Sequence, residues 1–231
     1  MSITRNIYII FSNKILICDI YYSIYVYFMA VTPTLVKNTI KRRLTLNSII
    51  TNRKTSYYNP GSLHSLLSFQ KNLADLLSSH KAYSKDIVIV CIGSDRATGD
   101  SLGPIVGDRL SKLNNNYTVY GTLEHPVHAK NLHTTIDQIN KNHLHPFIIA
   151  IDASLGTSQH VGYVSLINGS LKPGIGVNKE LPLIGDVSIT GIVGISGMIN
   201  QMIIQTTRLN LVMNLADFIS RGLYLAGRSV T

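Results

Sequence analysis

From residue 86 onward, short apolar runs alternate with stretches in which apolar residues recur every three or four positions. The runs read as strands and the periodic stretches as helices, and their alternation is the signature of parallel βαβ units. The pattern predicts strands over 87–92, 117–121, 147–151, 160–168 and 187–193, with helices over 102–113 and 129–142. Ahead of these, Leu63, Leu66, Leu67, Leu73, Leu76 and Leu77 share helical spacing, so an amphipathic helix over 62–80 opens the folded region. The preceding "YYNPGS" reads as a loop, as does the Gly- and Pro-rich stretch 169–186. One long helix is expected over 197–223. "PFIIAID" is apolar until its last residue, as a central strand covered by helices on both faces must be.

At 231 residues and 45% hydrophobic, the chain can bury one core of ordinary size. Its net charge of +9 is unevenly placed: residues 1–60 hold eight Lys or Arg against Asp19 alone, leaving thirteen basic against eleven acidic residues over 61–231. The expected organisation is therefore a basic, Tyr- and Ile-rich leader over 1–60, poorly ordered, followed by one α/β domain over 61–231. The cluster Lys41, Arg42, Arg43, Arg53 and Lys54 belongs to that leader, and no specific nucleic-acid partner is expected. Lys14 and Asp19 interrupt the apolar stretch over 7–31, which leaves no clean span of ~20 residues and predicts no membrane segment. Met29 offers an alternative translation start. Cys18 and Cys91 are too few for a disulfide framework and fit a reducing, intracellular setting.

Parallel strands deliver their C-terminal ends to one edge of a sheet, and ligands of open α/β sheets bind there. Asp152 directly follows the 147–151 strand, and Asp100 lies in the loop leaving the 87–92 strand. Neighbouring strands are ~4.8 Å apart, so if these two are adjacent, or separated by one other, both carboxylates can face one cleft. Like charges so placed titrate unequally: one group holds a proton while its partner polarises water. That is acid–base chemistry suited to amide hydrolysis. Each acid also has a plainer use, Asp100 as a helix N-cap and Asp152 as a cap on the turn after its strand.

Other chemistries fit less well. "GSDRATGDSLG" carries neither glycine fingerprint for phosphate, and its acids would repel one, so no cofactor is expected. "GDSLG" satisfies G-x-S-x-G, and Ser101, Asp152 and His160 follow the α/β-hydrolase order. Ser101, however, lies nine residues past Ile92, too far for a nucleophile elbow. Six histidines (His125, His128, His133, His143, His145 and His160) gather without a zinc spacing. His128 is placed at the active edge, where it and Glu124 could join the acids in a hard-metal or nickel-like site. Lys172 and Lys179, in the glycine-rich loop, could neutralise a substrate or the acidic pair, and the loop itself either clamps an extended peptide or is a plain surface crossover.

The segments "CIGSDRATGDSLGPIVG", "YGTLEHPVHAKNL", "PFIIAIDASLG", "LKPGIGVNKELPLIGD" and "TRLNLVMNLA" resemble the sporulation protein family YyaC. That family is related to the spore germination protease and to hydrogenase maturation endopeptidases, and the likeness spans roughly residues 62–223. The resemblance implies a three-layer α/β/α sandwich with a mostly parallel sheet. It also implies an atypical aspartic-type peptidase with Asp100 and Asp152 as its catalytic pair. The implied substrate is a protein or peptide, small acid-soluble spore proteins among the candidates, in the cytoplasm of a forespore or mother cell. In the maturation enzymes the corresponding acids contact nickel and a later histidine completes the site. No histidine follows His160 here, which favours the aspartate pair without a metal. A metal-dependent maturation-type protease and a catalytically silent peptide-binding module on the same fold remain alternatives.

Overall fold

A computed structural model describes residues 55–113, 116–174 and 181–228; of the leader expected over 1–60, residues 1–54 lie outside the described residues and 55–60 within them, and Lys179 also lies outside. In chain order the elements are β1 (Thr55–Tyr58), α1 (Leu63–Ser79), β2 (Ile87–Cys91), α2 (Leu102–Ser111), β3 (Tyr117–Tyr120), α3 (Leu132–Asn142), β4 (Phe147–Gly156), β5 (Val164–Asn168), β6 (Val187–Ile195), α4 (Asn200–Thr206) and α5 (Leu209–Arg228). The six strands form one sheet in the order β1-β5-β6-β4-β2-β3. The pairs β6–β4, β4–β2 and β2–β3 are parallel, and β5 runs antiparallel to both β6 and β1.

Alternation along each strand sends successive side chains to opposite faces, and both faces are apolar. On one, Ile89, Ile149, Ile151 and Ile189 pack under Phe69, Leu73 and Leu77 of α1, Leu102, Val106 and Leu110 of α2, and Leu215, Phe218, Ile219 and Leu223 of α5. On the other, Val88, Val90 and Ala150 meet Leu132 and Ile139 of α3 together with Leu171, Leu181 and Ile184 of the β5–β6 connection. These are the three layers of an α/β/α sandwich. Each fully buried Leu, Ile or Phe contributes roughly 1.5–3 kcal/mol through the water it gives up. Contact between α2 and the end of β3 depends on glycine, since a Cβ on Gly107 would sit 1.8 Å from the Gly121 carbonyl oxygen.

Four local features depart from the sequence pattern. Residues 55–58 are a strand on the sheet edge, so Tyr57 and Tyr58 of the expected loop are extended and paired with Ser165 and Val164. The strand expected over 160–168 begins only at Val164, after a 3-10 turn at Ser158–His160. β4 continues five residues past its expected end. The long C-terminal helix is broken at Thr207, which adopts an extended conformation with ψ 140°. There the hydroxyls of Thr206 and Thr207 turn back to the carbonyls of Met202 and Ile203 (2.8 Å each), the competition with helical backbone that threonine permits. Among the described residues no helix is long and apolar enough to cross a membrane.

Candidate active site

β2 ends where its neighbour changes. Ile92 forms a parallel bridge with Val127, its N–H donates to the Ile151 carbonyl (2.7 Å), and the Gly93 N–H donates to the Val127 carbonyl (2.8 Å). Gly93 has φ 141°, and a Cβ there would lie 2.0 Å from the Asp100 carbonyl oxygen, so only glycine lets the chain fold back this closely. The Ser94 N–H donates to that same carbonyl (3.2 Å) and the Ser101 N–H to the Ala97 carbonyl (3.0 Å). A 3-10 turn, Gly99–Ser101, is thereby clamped over the end of β2 and carries Asp100. Ser101 occupies the cap position of α2 without a side-chain cap bond, so Asp100 is not the N-cap its place in the sequence allows.

Asp152 sits inside β4, not just beyond it. The apolar run stops at Ile151, but pairing with the longer β6 carries β4 to Gly156, with Asp152 opposite Thr190. On its other side β2 has already ended, since Cys91 lies opposite Ile151. The adjacency of β2 and β4 fulfils the geometric condition for a shared cleft. Asp100 and Asp152 line one cavity of about 490 Å³, together with Arg96, His128 and Lys130. Gly174 and Leu181 of the β5–β6 connection and Gln201, Ile204 and Gln205 complete its walls.

The two carboxyls have unlike environments. Asp152 is 6% exposed. Removal from water holds it well above the usual carboxylate range, and the charge of Asp100 pushes it the same way. Hydrogen bonds from the Ala153 N–H to Oδ1 (2.8 Å) and from the Gly174 backbone oppose this without reversing it. Burial raises Asp100 as well, and a hydrogen bond from the Ser94 backbone and the nearness of His128 offset only part of that rise. Both carboxyls are thus raised, Asp152 further than Asp100.

The remaining candidates separate. Ser101 is buried and its hydroxyl donates to the Thr98 carbonyl (2.6 Å). It lines a different cavity, with Asp95 and Arg109. His160 stacks on Tyr57 (centroids 4.1 Å apart, planes at 7°) and contacts Thr157 through Nδ1. The serine-hydrolase order of Ser101, Asp152 and His160 is therefore not assembled in space. Glu124 and His125 are exposed, and His143 pairs with Asp86 (3.0 Å). Among the described residues no group of three or more His, Cys, Asp or Glu side chains is disposed to hold a metal ion. Lys172 is exposed and outside the cavity lining. The pattern of the sequence did not point to Gln201, Ile204 and Gln205, because they lie in what reads as one uninterrupted helix; the paired Thr206 and Thr207 were the available signal.

Comparison with known proteins places the chain in a family. Residues 63–222 match the family model described as "Protein of unknown function (DUF1256)". The chain is 50% identical over 162 residues to the "Uncharacterized protein YyaC" of Bacillus subtilis (strain 168), a match covering 69% of this chain and 79% of that protein. Among solved structures, the [NiFe] hydrogenase maturation protease HycI from Thermococcus kodakarensis KOD1 aligns with a TM-score of 0.40 at 20% identity, covering 66% of this chain and 98% of its own.

Proposed function

The chain belongs to the YyaC family, and we propose that it is a peptidase of atypical aspartic type that hydrolyses peptide bonds of a spore protein with Asp100 and Asp152. One observation carries this reading: two carboxyls, that of Asp152 almost fully buried, line the same cavity. The ionised Asp100 takes a proton from water as the oxygen attacks the scissile carbonyl carbon. The protonated Asp152 donates to the carbonyl oxygen, where negative charge develops. Collapse of the tetrahedral intermediate, with a proton delivered to the leaving nitrogen, breaks the C–N bond and returns the pair to its starting state.

Small acid-soluble spore proteins, in the cytoplasm of a forespore or mother cell, are the substrate class we propose, by analogy with the germination protease. The test is to incubate the chain with the acid-soluble protein fraction of spores and to look for new fragments by mass spectrometry. Fragments should form with the wild type and fall by at least about 10²-fold with Asp100→Asn or Asp152→Asn, the scale of a lost proton-transfer group. Unchanged cutting by either variant would refute the assignment.

A further inference from the structure

His128 is a proton-binding group in the cavity to which the aspartate pair assigns no task. Its loop, between β3 and α3, is pinned on one side by the Ile92–Val127 bridge and on the other by Asn131. The Asn131 side chain accepts from the His128 N–H (2.8 Å) and donates to the Pro126 carbonyl (2.9 Å). The N–H groups of Asn131 and Leu132 both return to the His128 carbonyl (3.1 and 2.9 Å). So held, the imidazole lines the same cavity as both aspartates. Its Nδ1 is buried and has no hydrogen-bond partner among the described residues. An unmet buried nitrogen costs roughly 1–3 kcal/mol, and one that lines a cavity with two carboxyls calls for a chemical explanation.

The charged residues that line the cavity with it are Asp100 and Arg96 from the β2 loop, Asp152 from β4 and Lys130 from its own loop, while α4 contributes the neutral Gln201 and Gln205. Imidazole is the side chain of this set suited to both giving and taking a proton near neutral pH. We propose that His128 is a third catalytic residue of the cavity, the one that protonates the leaving nitrogen of the scissile amide; this rests on the peptidase reading above. The cycle balances. Water gives one proton to the Asp100 carboxylate, and its oxygen bonds to the carbonyl carbon while Asp152 protonates the carbonyl oxygen. The imidazolium of His128 then protonates the nitrogen as the C–N bond breaks, and one hydroxyl of the intermediate returns its proton to Asp152. Asp100 passes its proton to His128, which restores the starting charges.

This role requires an imidazolium at the outset, so the rate should fall on the alkaline side as that proton is lost. The test uses one purified small acid-soluble spore protein as substrate and follows kcat, KM and pH dependence. His128→Gln should lose about 10²-fold or more in kcat, with KM little changed, an unaltered Tm and no alkaline limb from the imidazolium. Added imidazole should restore part of the activity of His128→Ala. An unchanged kcat and alkaline limb in His128→Gln, or a rise in KM alone, would overturn the inference and leave the aspartate pair standing. A wild type that does not cut at all would remove the peptidase reading, and this inference with it.

Discussion

Asp100 and Ser101 are neighbours in the chain, yet they serve two cavities of similar size, about 490 and 410 Å³, whose polar groups are in opposite states. In the second, Asp108 pairs with Lys112 (2.6 Å), Arg109 reaches Asp217 (3.3 Å), and the Ser101 hydroxyl is satisfied by Thr98. In the first, Asp152 is buried beside a second carboxyl, and His128 has a nitrogen without a hydrogen-bond partner among the described residues. The same five residues, "GDSLG", supply one group to each side. The motif by itself therefore says nothing about which side does chemistry. What separates the two is whether burial leaves a proton-binding group unpaired.

Gly93→Ala should affect this contrast most. Its Cβ would collide with the Asp100 carbonyl at a backbone angle that disfavours side chains, costing about 2 kcal/mol or more. A lowered Tm with activity lost beyond what the Tm change explains would show that the turn aims Asp100; a variant of full activity and stability would break the geometric argument.

A smaller effect concerns pH and stability. Asp152 holds its proton to a higher pH folded than unfolded, so between those two points the folded chain binds more protons and loses stability as pH rises. Asp152→Asn removes that loss. The variant should match or exceed the wild-type Tm at neutral pH, and its advantage should vanish as pH falls below the ordinary aspartate value of about 3.9. Thermal unfolding across pH reads this directly, and a destabilised variant at neutral pH would mark Asp152 as a structural cap.

The smallest effect is expected at the second cavity. Ser101→Ala removes a hydrogen bond to Thr98, worth roughly 1 kcal/mol, and should leave cleavage intact. Loss of activity with Tm preserved would transfer the chemistry to the serine side.

The parts of this contrast that could be read from the sequence follow from strong local patterns. β2 and β4 are uniformly apolar runs, so their burial and the placing of Asp100 and Asp152 at one sheet edge follow from topology rules. The polar run "TSYY" of β1 lacks such a pattern, and its strand character comes from pairing with β5. β4 extends past Ile151 because β6 is there to pair with, a fact of tertiary structure. His128 could be placed at the edge from its distance beyond β3, whereas its unmet nitrogen depends on packing that no spacing encodes. Gln201 and Gln205 reach the cavity through a break at Thr207 that the apolar period of 197–223 conceals.

Asp100 and Asp152 are expected to act on each other across one cavity. Carbon-13 titration of the Asp152 carboxyl, in the wild type and in Asp100→Asn, measures this most directly. A midpoint well above the ordinary aspartate range is expected in the wild type, moving down when the Asp100 charge is removed. An Asp152 that titrates in the ordinary range, or one whose midpoint ignores residue 100, would contradict it.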